Sequence, residues 1–288
     1  MRTKGVWACA AALLLSAAGA ADEAQVRPDA SALCREAVRH VSATAQAEVR
    51  TAYVSRGRVV ADNPFSAQSA DVELLFGDWG RCGGYVWSVT AFSRRGQAAS
   101  RRNAYHEADY NLHYTYDLPL AEAWTLENTV ARHWVTLPGY HYDLNTIQEW
   151  HEGQALRNPY VTPYYLFRHA TDPQPWNYWY VGIRRGFGLL EDLDFSVNFY
   201  GDLGDARHFM LQYGAKPGEP GSQYHGGLQA LNLVLRLDWR VASHCTLFAY
   251  AWQFGVVSDD ARDSLKASSR PESKRDITVA GVGASVYF

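Results

Sequence analysis

The sequence predicts an all-β fold, an antiparallel transmembrane β-barrel of about twelve strands with short periplasmic turns and longer extracellular loops. Three observations carry this expectation. Apolar and polar residues alternate with period two along segment after segment, and connection lengths alternate between long and short. Beyond residue 20, no stretch approaches the roughly 18 uninterrupted apolar residues that a membrane helix needs. The chain nevertheless carries 10 Trp, 18 Tyr and 11 Phe. Two classes survive, a membrane barrel and a soluble sandwich or barrel with the same alternation.

From the amino terminus, residues 1–20 hold Arg2 and Lys4, an apolar run from Val6 through Leu15, and the small-x-small site Ala18-Gly19-Ala20. This is the pattern of a secretory signal peptide cleaved after Ala20, and its apolar run is too short to span a bilayer. Cys9 leaves with it. Residues 21–46 read as a periplasmic extension, in which Leu33, Ala37, Val38 and Val41 recur at helical spacing behind the capping candidates Asp29 and Ser31. It is either a lightly helical tail or a plug entering the barrel. The barrel itself is expected over residues 47–288.

Within that span, residues 231–240 alternate most cleanly. Leu231, Leu233, Leu235, Leu237 and Trp239 share one face, and Asn232, Arg236, Asp238 and Arg240 share the other. The same pattern recurs at Leu193, Phe195, Val197 and Phe199, and again at Ala108, Tyr110, Leu112, Tyr114 and Tyr116. Phe248, Tyr250, Trp252 and Phe254 share a face, as do Val72, Leu74 and Phe76. Weaker candidates cover 47–57, 85–93, 124–136, 146–156, 160–168 and 176–187, and a closing strand covers 276–288. In a membrane barrel the apolar faces meet lipid and the charged faces meet the lumen.

Connection lengths separate the two classes. With the first strand leaving the periplasm, the outer links fall at 56–68, 94–103, 138–145, 170–175, 201–223 and 257–275, and the inner ones at 77–83, 119–122, 157–159, 188–192 and 241–244. A soluble sandwich gives no reason for turn length to follow parity. Nor does it explain why Trp124, Trp134, Trp176, Trp239 and Tyr287 fall at strand ends, where a bilayer favours Trp and Tyr at headgroup level. On the closing strand, Phe288, Val286 and Ala284 lie on one apolar face, with Gly281 and Gly283 on the inward one. A terminal strand ending in Phe resembles the signal by which the barrel-assembly machinery recognises outer-membrane barrels. Location in the bacterial outer membrane, in contact with its lipid, follows from that reading.

Without Arg2 and Lys4, 25 of the 27 basic residues face 30 acidic ones, a net charge near −5 that offers nothing to nucleic acid. Cys34, Cys82 and Cys245 then remain, an odd number from which no full disulfide framework can be read.

The block Tyr53-Val54-Ser55-Arg56-Gly57, followed by Asp62-Asn63-Pro64 and Gln68, resembles the opening strand and first loop of the TorF family of porins. Glu107-x-Asp109-Tyr110 and Ile147-Gln148-Glu149 are similar to later strands of that family. The resemblance is strongest over residues 47–92 and thin beyond Trp176. It implies an outer-membrane channel.

Enzyme motifs are missing. His151-Glu152-Gly153-Gln154-Ala155 begins like a zinc-protease helix, but Ala155 stands where the second His would be, so the segment reads as strand or loop. There is no Gly-x-Ser-x-Gly elbow, and the His-x-Ser-Asn-Gly block of outer-membrane phospholipase A has no counterpart. The ten histidines are scattered and suit polar wall positions better than metal ligands. No cofactor, metal site or catalytic residue is expected. The candidate functional residues are inward-facing ones expected to line the pore: Glu73, Glu107, Asp109, His113, Glu127, Glu149, Arg184, Asp194, Arg236, Asp238 and Arg240. Such charges must pair or stay hydrated. The resulting expectation is a porin-like channel for passive diffusion of a small hydrophilic solute. The alternatives are a non-conducting structural or adhesive barrel and, less favoured, a hydrolase at the lumen rim.

Overall fold

A computed structural model describes residues 41–92, 106–136, 146–172, 174–213, 224–267 and 274–288. The leader 1–20, residues 21–40 with Cys34, and the loop holding His141 lie outside them. The barrel strands are β1 (Val41–Arg50), β4 (Phe65–Leu75), β5 (Arg81–Ala91), β6 (His106–Ala121), β7 (Trp124–Thr136) and β8 (Thr146–Arg157). They continue with β9 (Thr162–Asp172), β10 (Trp176–Leu190), β11 (Leu193–Gly204), β12 (Gly227–Ala242), β13 (Cys245–Val256) and β14 (Asp276–Tyr287). Each pairs antiparallel with its chain neighbours among them, and β1 pairs with β14 from Thr44↔Tyr287 to Arg50↔Gly281, which closes the barrel. A hairpin of β2 (Tyr53–Ser55) and β3 (Arg58–Ala61) forms a separate two-stranded sheet. Helices α1 (Ala206–Tyr213) and α2 (Asp259–Ala267) sit in the two longest outer connections. Among the described residues no helix is long and apolar enough to cross a membrane.

Alternation builds the wall as the sequence suggests. On β12, Leu233, Leu235, Leu237 and Trp239 are exposed, whereas Asn232 is buried and Arg236 and Asp238 are half-buried. In a membrane barrel such exposed leucines face acyl chains and need no protein partner. Trp124 and Trp239 lie exposed on the outer face at the periplasmic ends of their strands, where amphipathic rings favour the headgroup level, whereas Tyr287 is exposed at its strand end but stands on the inward register with Gly283 and Ser285.

Four expectations are corrected. The first strand is Val41–Arg50, not 47–57, so Val41 belongs to a strand and not to a helical tail. Its outward residues are Ala43, Ala45, Ala47 and Val49, too weakly apolar to stand out by alternation. Residues 53–61 form the extra hairpin instead. Trp176 is not at a lipid interface: it is buried inside with Tyr178 and Ala170. The aromatic face of β13 also points inward, with Leu247 exposed outside. A period of two fixes which residues share a face, not which face is out.

The inward turn of β13 explains two glycines on β14. Phe248 stands opposite Gly283 and Tyr250 opposite Gly281. A Cβ on Gly281 would lie 2.2 Å from the Tyr250 ring, and one on Gly283 would lie 2.4 Å from the Ala47 carbonyl oxygen and the Phe248 ring. The glycines let large rings occupy the seam where the first and last strands meet. Gly281→Val is expected to destabilise the closed barrel by about 1–3 kcal/mol, the usual range for overpacking. Denaturant titration of the refolded barrel should show this, with partial recovery in the Gly281→Val/Tyr250→Ala double variant.

Candidate functional site

The interior is organised in three levels. At the extracellular end, the β2–β3 hairpin and the two helices dock onto the inner wall. Val54 and Val59 of the hairpin, Phe209 of α1, and Ala261 and Leu265 of α2 join Phe254, Val256 and Val279 in one buried cluster. Tyr53 packs on Phe65, Val89 and Ala91 in a second. Asp205 caps α1, its carboxylate accepting from the His208 amide at 2.7 Å and from the Asn177 amide at 2.7 Å. This layer buries apolar surface inside a lumen, where open water would otherwise stand.

The hairpin turn carries unusual backbone geometry. Arg56 has φ 50° and Gly57 φ 75°, the two positive values that a two-residue type I′ turn requires. Glycine adopts this readily and arginine does not. A Cβ on Gly57 would also lie 2.5 Å from the Gln229 side chain. What holds Arg56 there is its surroundings. Its Nη2 donates to Glu149 Oε1 at 2.9 Å, with side-chain exposures of 8% and 0%. Its guanidinium lies 5.8 Å from the Trp176 ring centroid, and its carbonyl accepts from Gln229 Nε2 at 3.2 Å. Tyr213 Oη donates to the Gly57 carbonyl at 2.8 Å.

Glu149 is the hub of the second level. Its other oxygen meets His151 Nε2 at 2.8 Å and lies 3.9 Å from Arg168 Nη1. His151 stacks on His133 at 4.6 Å, and His133 Nε2 lies 3.2 Å from Asp109 Oδ2. Glu107 is buried on the same face of β6 as Asp109. Two guanidinium groups thus enter a cluster of three carboxylates and two imidazoles. One ligand atom each from His133, Glu149 and His151 falls within 4.8 Å of the others, and Asp71, Glu73 and His113 make a similar group. In the first group Arg56 and Arg168 already supply the positive charge that a cation would bring, so the arrangement reads as a hydrogen-bonded charge network.

A third level lies toward the periplasm. Arg81 bridges Glu73 and Glu127, each at 3.1 Å. His113 Nε2 lies 3.2 Å from Glu73, over the space that Gly83 leaves. Across the barrel, Arg236 holds Asp238 through two nitrogens at 2.7–2.9 Å and lies 4.0 Å from the Phe248 ring centroid. Arg184 lies over Tyr164 at 5.9 Å, and Arg240 stands 4.0 Å from Asp194 with both side chains more than half exposed. The inner wall also borders an open cavity of about 410 Å³, lined by Glu48, Arg50, Tyr164, Tyr200, Arg236 and Trp252 among others.

Register and contacts put all eleven candidate residues on the inner face, but in different company. Glu107, Asp109 and Glu149 lie in the hairpin-bound cluster, Glu73, His113 and Glu127 in the Arg81 network, and the other five along β10–β12. Sequence reading missed Arg56, His133, His151 and Arg168, the partners that define the cluster. Arg56 belongs to the Tyr53–Gly57 block, which alternation reads as the end of a strand, and His151 carries a sequence signal only as the start of a metalloprotease-like segment. A positive-φ signal existed in the Arg-Gly pair, which fits a hairpin turn better than a strand.

No protein-family model and no curated protein matches the chain. Among solved structures, the COG4313 outer membrane channel from Pseudomonas putida F1 is similar at 9% identity and TM-score 0.52, over 86% of this chain and 96% of that one. The NanC porin is similar at 10% identity and TM-score 0.48, over 85% and 98%. The KdgM porin is similar at 8% and 0.46, over 86% and 99%. At such identities the likeness is one of fold. The fold is that of a bacterial outer-membrane barrel.

Two predictions come from this geometry. Removing one partner of a buried ion pair costs about 3–5 kcal/mol, so Arg56→Ala should release the hairpin while the barrel stays closed. Amide exchange over residues 53–61 should then speed up by at least about a hundredfold, with β6–β12 unchanged. The second concerns pH. Burial, with Arg56 nearby, pushes the His208 imidazole down from 6.5 to about 3, where its ring packs at a tilt against Tyr178 at 4.6 Å and Trp176 at 5.0 Å. The undocked helix therefore binds a proton that the docked one does not. Docking is at full strength above about pH 6.5 and weakens as pH falls toward 3. Exchange protection of α1 should drop between pH 7 and about 4.5, and His208→Phe should remove that dependence.

Proposed function

We propose that this chain is an outer-membrane channel for small hydrophilic solutes whose extracellular mouth is held narrow by its own hairpin and two helices. The observation that carries this reading is the seating of the Arg56 turn inside the barrel, against Glu149 on the opposite wall. A wall serving structure alone needs no loop folded into its lumen. Selectivity would come from the inward charges, since a low-dielectric wall focuses the field of each unbalanced group on any ion that passes. The exposed Arg184, Arg240 and Asp194 and the paired Arg236–Asp238 would act on the periplasmic side, and the Arg81 network across the lumen from them. No chemical step is part of the reading. The resemblance to TorF-family porins supports it, and so does the channel fold. The carboxy-terminal strand, with Val286 and Ala284 facing outward and Phe288 tied to Ala43 by two backbone hydrogen bonds, would serve as the segment that the assembly machinery engages.

A second reading has one observation in its favour. The Glu149, Arg81 and Arg236 groups are ion-paired, and a fully paired interior suits a stiff barrel without traffic. Conductance decides between them. In planar bilayers the wild type should show small single-channel steps. Deleting residues 53–61 or introducing Arg56→Ala should enlarge them several-fold, and Arg236→Ala/Arg240→Ala should shift selectivity toward cations. Absence of conductance in the wild type and the hairpin-deleted barrel alike would leave the structural reading standing.

A further inference from the structure

The outer surface of the barrel is not uniform. Over β11–β12 the residues turned to lipid are Phe195, Val197, Phe199 and the β12 leucines, an apolar sheet of the kind acyl chains require, and β10 adds Val181, Ile183 and Phe187 with Arg185 among them, its guanidinium 4.9 Å from the Phe187 ring centroid. Over β7–β9 the same outward positions hold Asn128, Glu152, Gln154 and Tyr165. Their orientation is set by register. Glu152 stands opposite Val130 and Phe167, and is flanked on its own strand by Trp150. Val130 is 49% exposed and Trp150 54% exposed on the outer surface, so Glu152 shares their side.

Depth makes these positions informative. Glu152 occupies the middle of the twelve-residue strand β8. With strands tilted in a barrel, it lies on the order of 12–15 Å from either end of β8, inside an apolar belt about 25 Å tall. A carboxylate there faces hydrocarbon. The local bonds are partial: Tyr165 Oη donates to Glu152 Oε1 at 3.0 Å, and Gln154 Nε2 donates to Asn128 Oδ1 at 2.9 Å. A carboxylate accepts as many as about four hydrogen bonds, and each amide can make about four. Lipid tails supply none, and an ionisable group within the membrane marks a contact or a pathway. A pathway would run inside the barrel, and these groups are outside it.

We infer that the outer face of β7–β9 is where a second copy of this chain docks. All copies share one orientation in the membrane, so a two-fold axis along the bilayer normal brings residues of equal depth together. Gln154 then meets Gln154 of the second copy, and an amide is both donor and acceptor. The remaining amide hydrogens are placed to donate to Glu152. Charge fits the same symmetry. Arg132 is on the outward face of the neighbouring strand, paired in register with Trp150 and so two residues toward the extracellular side of Glu152. Its guanidinium runs over the Trp150 ring at 4.9 Å to Gln148 at 2.5 Å. The patch thus carries one acid and one base close together within each copy, so its formal charge is near balance and two copies related by the two-fold meet without net repulsion. Polar groups that would be costly against lipid become hydrogen-bonded, and that difference drives association in a medium where apolar contact alone drives none.

The test uses the full barrel chain in liposomes, labelled with donor and acceptor dyes on separate preparations, with energy transfer followed as lipid is diluted in. The wild type should show transfer that decays with dilution as a monomer–dimer equilibrium. Glu152→Leu/Gln154→Leu should weaken association by at least about tenfold, while Val197→Ala/Leu235→Ala on the apolar side leaves it unchanged. Heat-modified gel migration confirms that each variant is a closed barrel. Should the double variant not fold, Val130→Cys in a Cys34→Ser/Cys82→Ser/Cys245→Ser background reads the same contact, with oxidation expected to give a covalent dimer. A wild type monomeric at every dilution overturns the inference, as does a folded double variant that associates as tightly as the wild type or a Val130→Cys barrel that does not cross-link. None of these readouts depends on conductance.

Discussion

A closed sheet in a bilayer has one face in hydrocarbon, and everything else in this molecule follows from what that leaves for the other face. Polar side chains on alternate residues of twelve strands converge on a narrow interior. In a space of that size, carboxylates and guanidinium groups must find one another or keep water. The Arg81 bridge between Glu73 and Glu127 and the Glu149 cluster are the outcome, charge gathered into layers along a wall that also borders a cavity.

The Glu149 cluster differs from the others because part of it does not come from the wall. Arg56 reaches it from a hairpin, in a backbone conformation that arginine rarely takes. A buried carboxylate recovers its desolvation cost by pairing, and the same pairing holds the turn in place. Charge balance inside the barrel and the position of an extracellular loop are therefore one equilibrium. This links wall electrostatics to mouth geometry without a moving strand, since the hairpin is a sheet separate from the twelve-stranded ladder.

The same constraint gives meaning to polar residues on the wrong side. Inside, a glutamate needs an arginine; outside, in lipid, it needs another protein. The row of Asn128, Gln154 and Tyr165 beside Glu152 is what a docked second copy would satisfy, whereas the leucine face of β12 asks for none.

Most of the fold could be read from the chain, because a barrel strand writes its two environments into alternate residues. The leucines of β12, the aromatic and polar alternation of β6, and the short periplasmic turns required no knowledge of neighbours. Where the outward residues are alanine, as on β1, the signal faded, and where the inward residues are aromatic, as on β13, it reversed. Only the closed structure decided that Trp176 lies under a helix, that Arg56 turns inward to Glu149, and that His133, His151 and Arg168 stand around it. Periodicity is a property of one strand. Which strands face one another across a lumen, and what a loop finds when it folds inside, depends on contacts between residues tens of positions apart, and no local pattern encodes them.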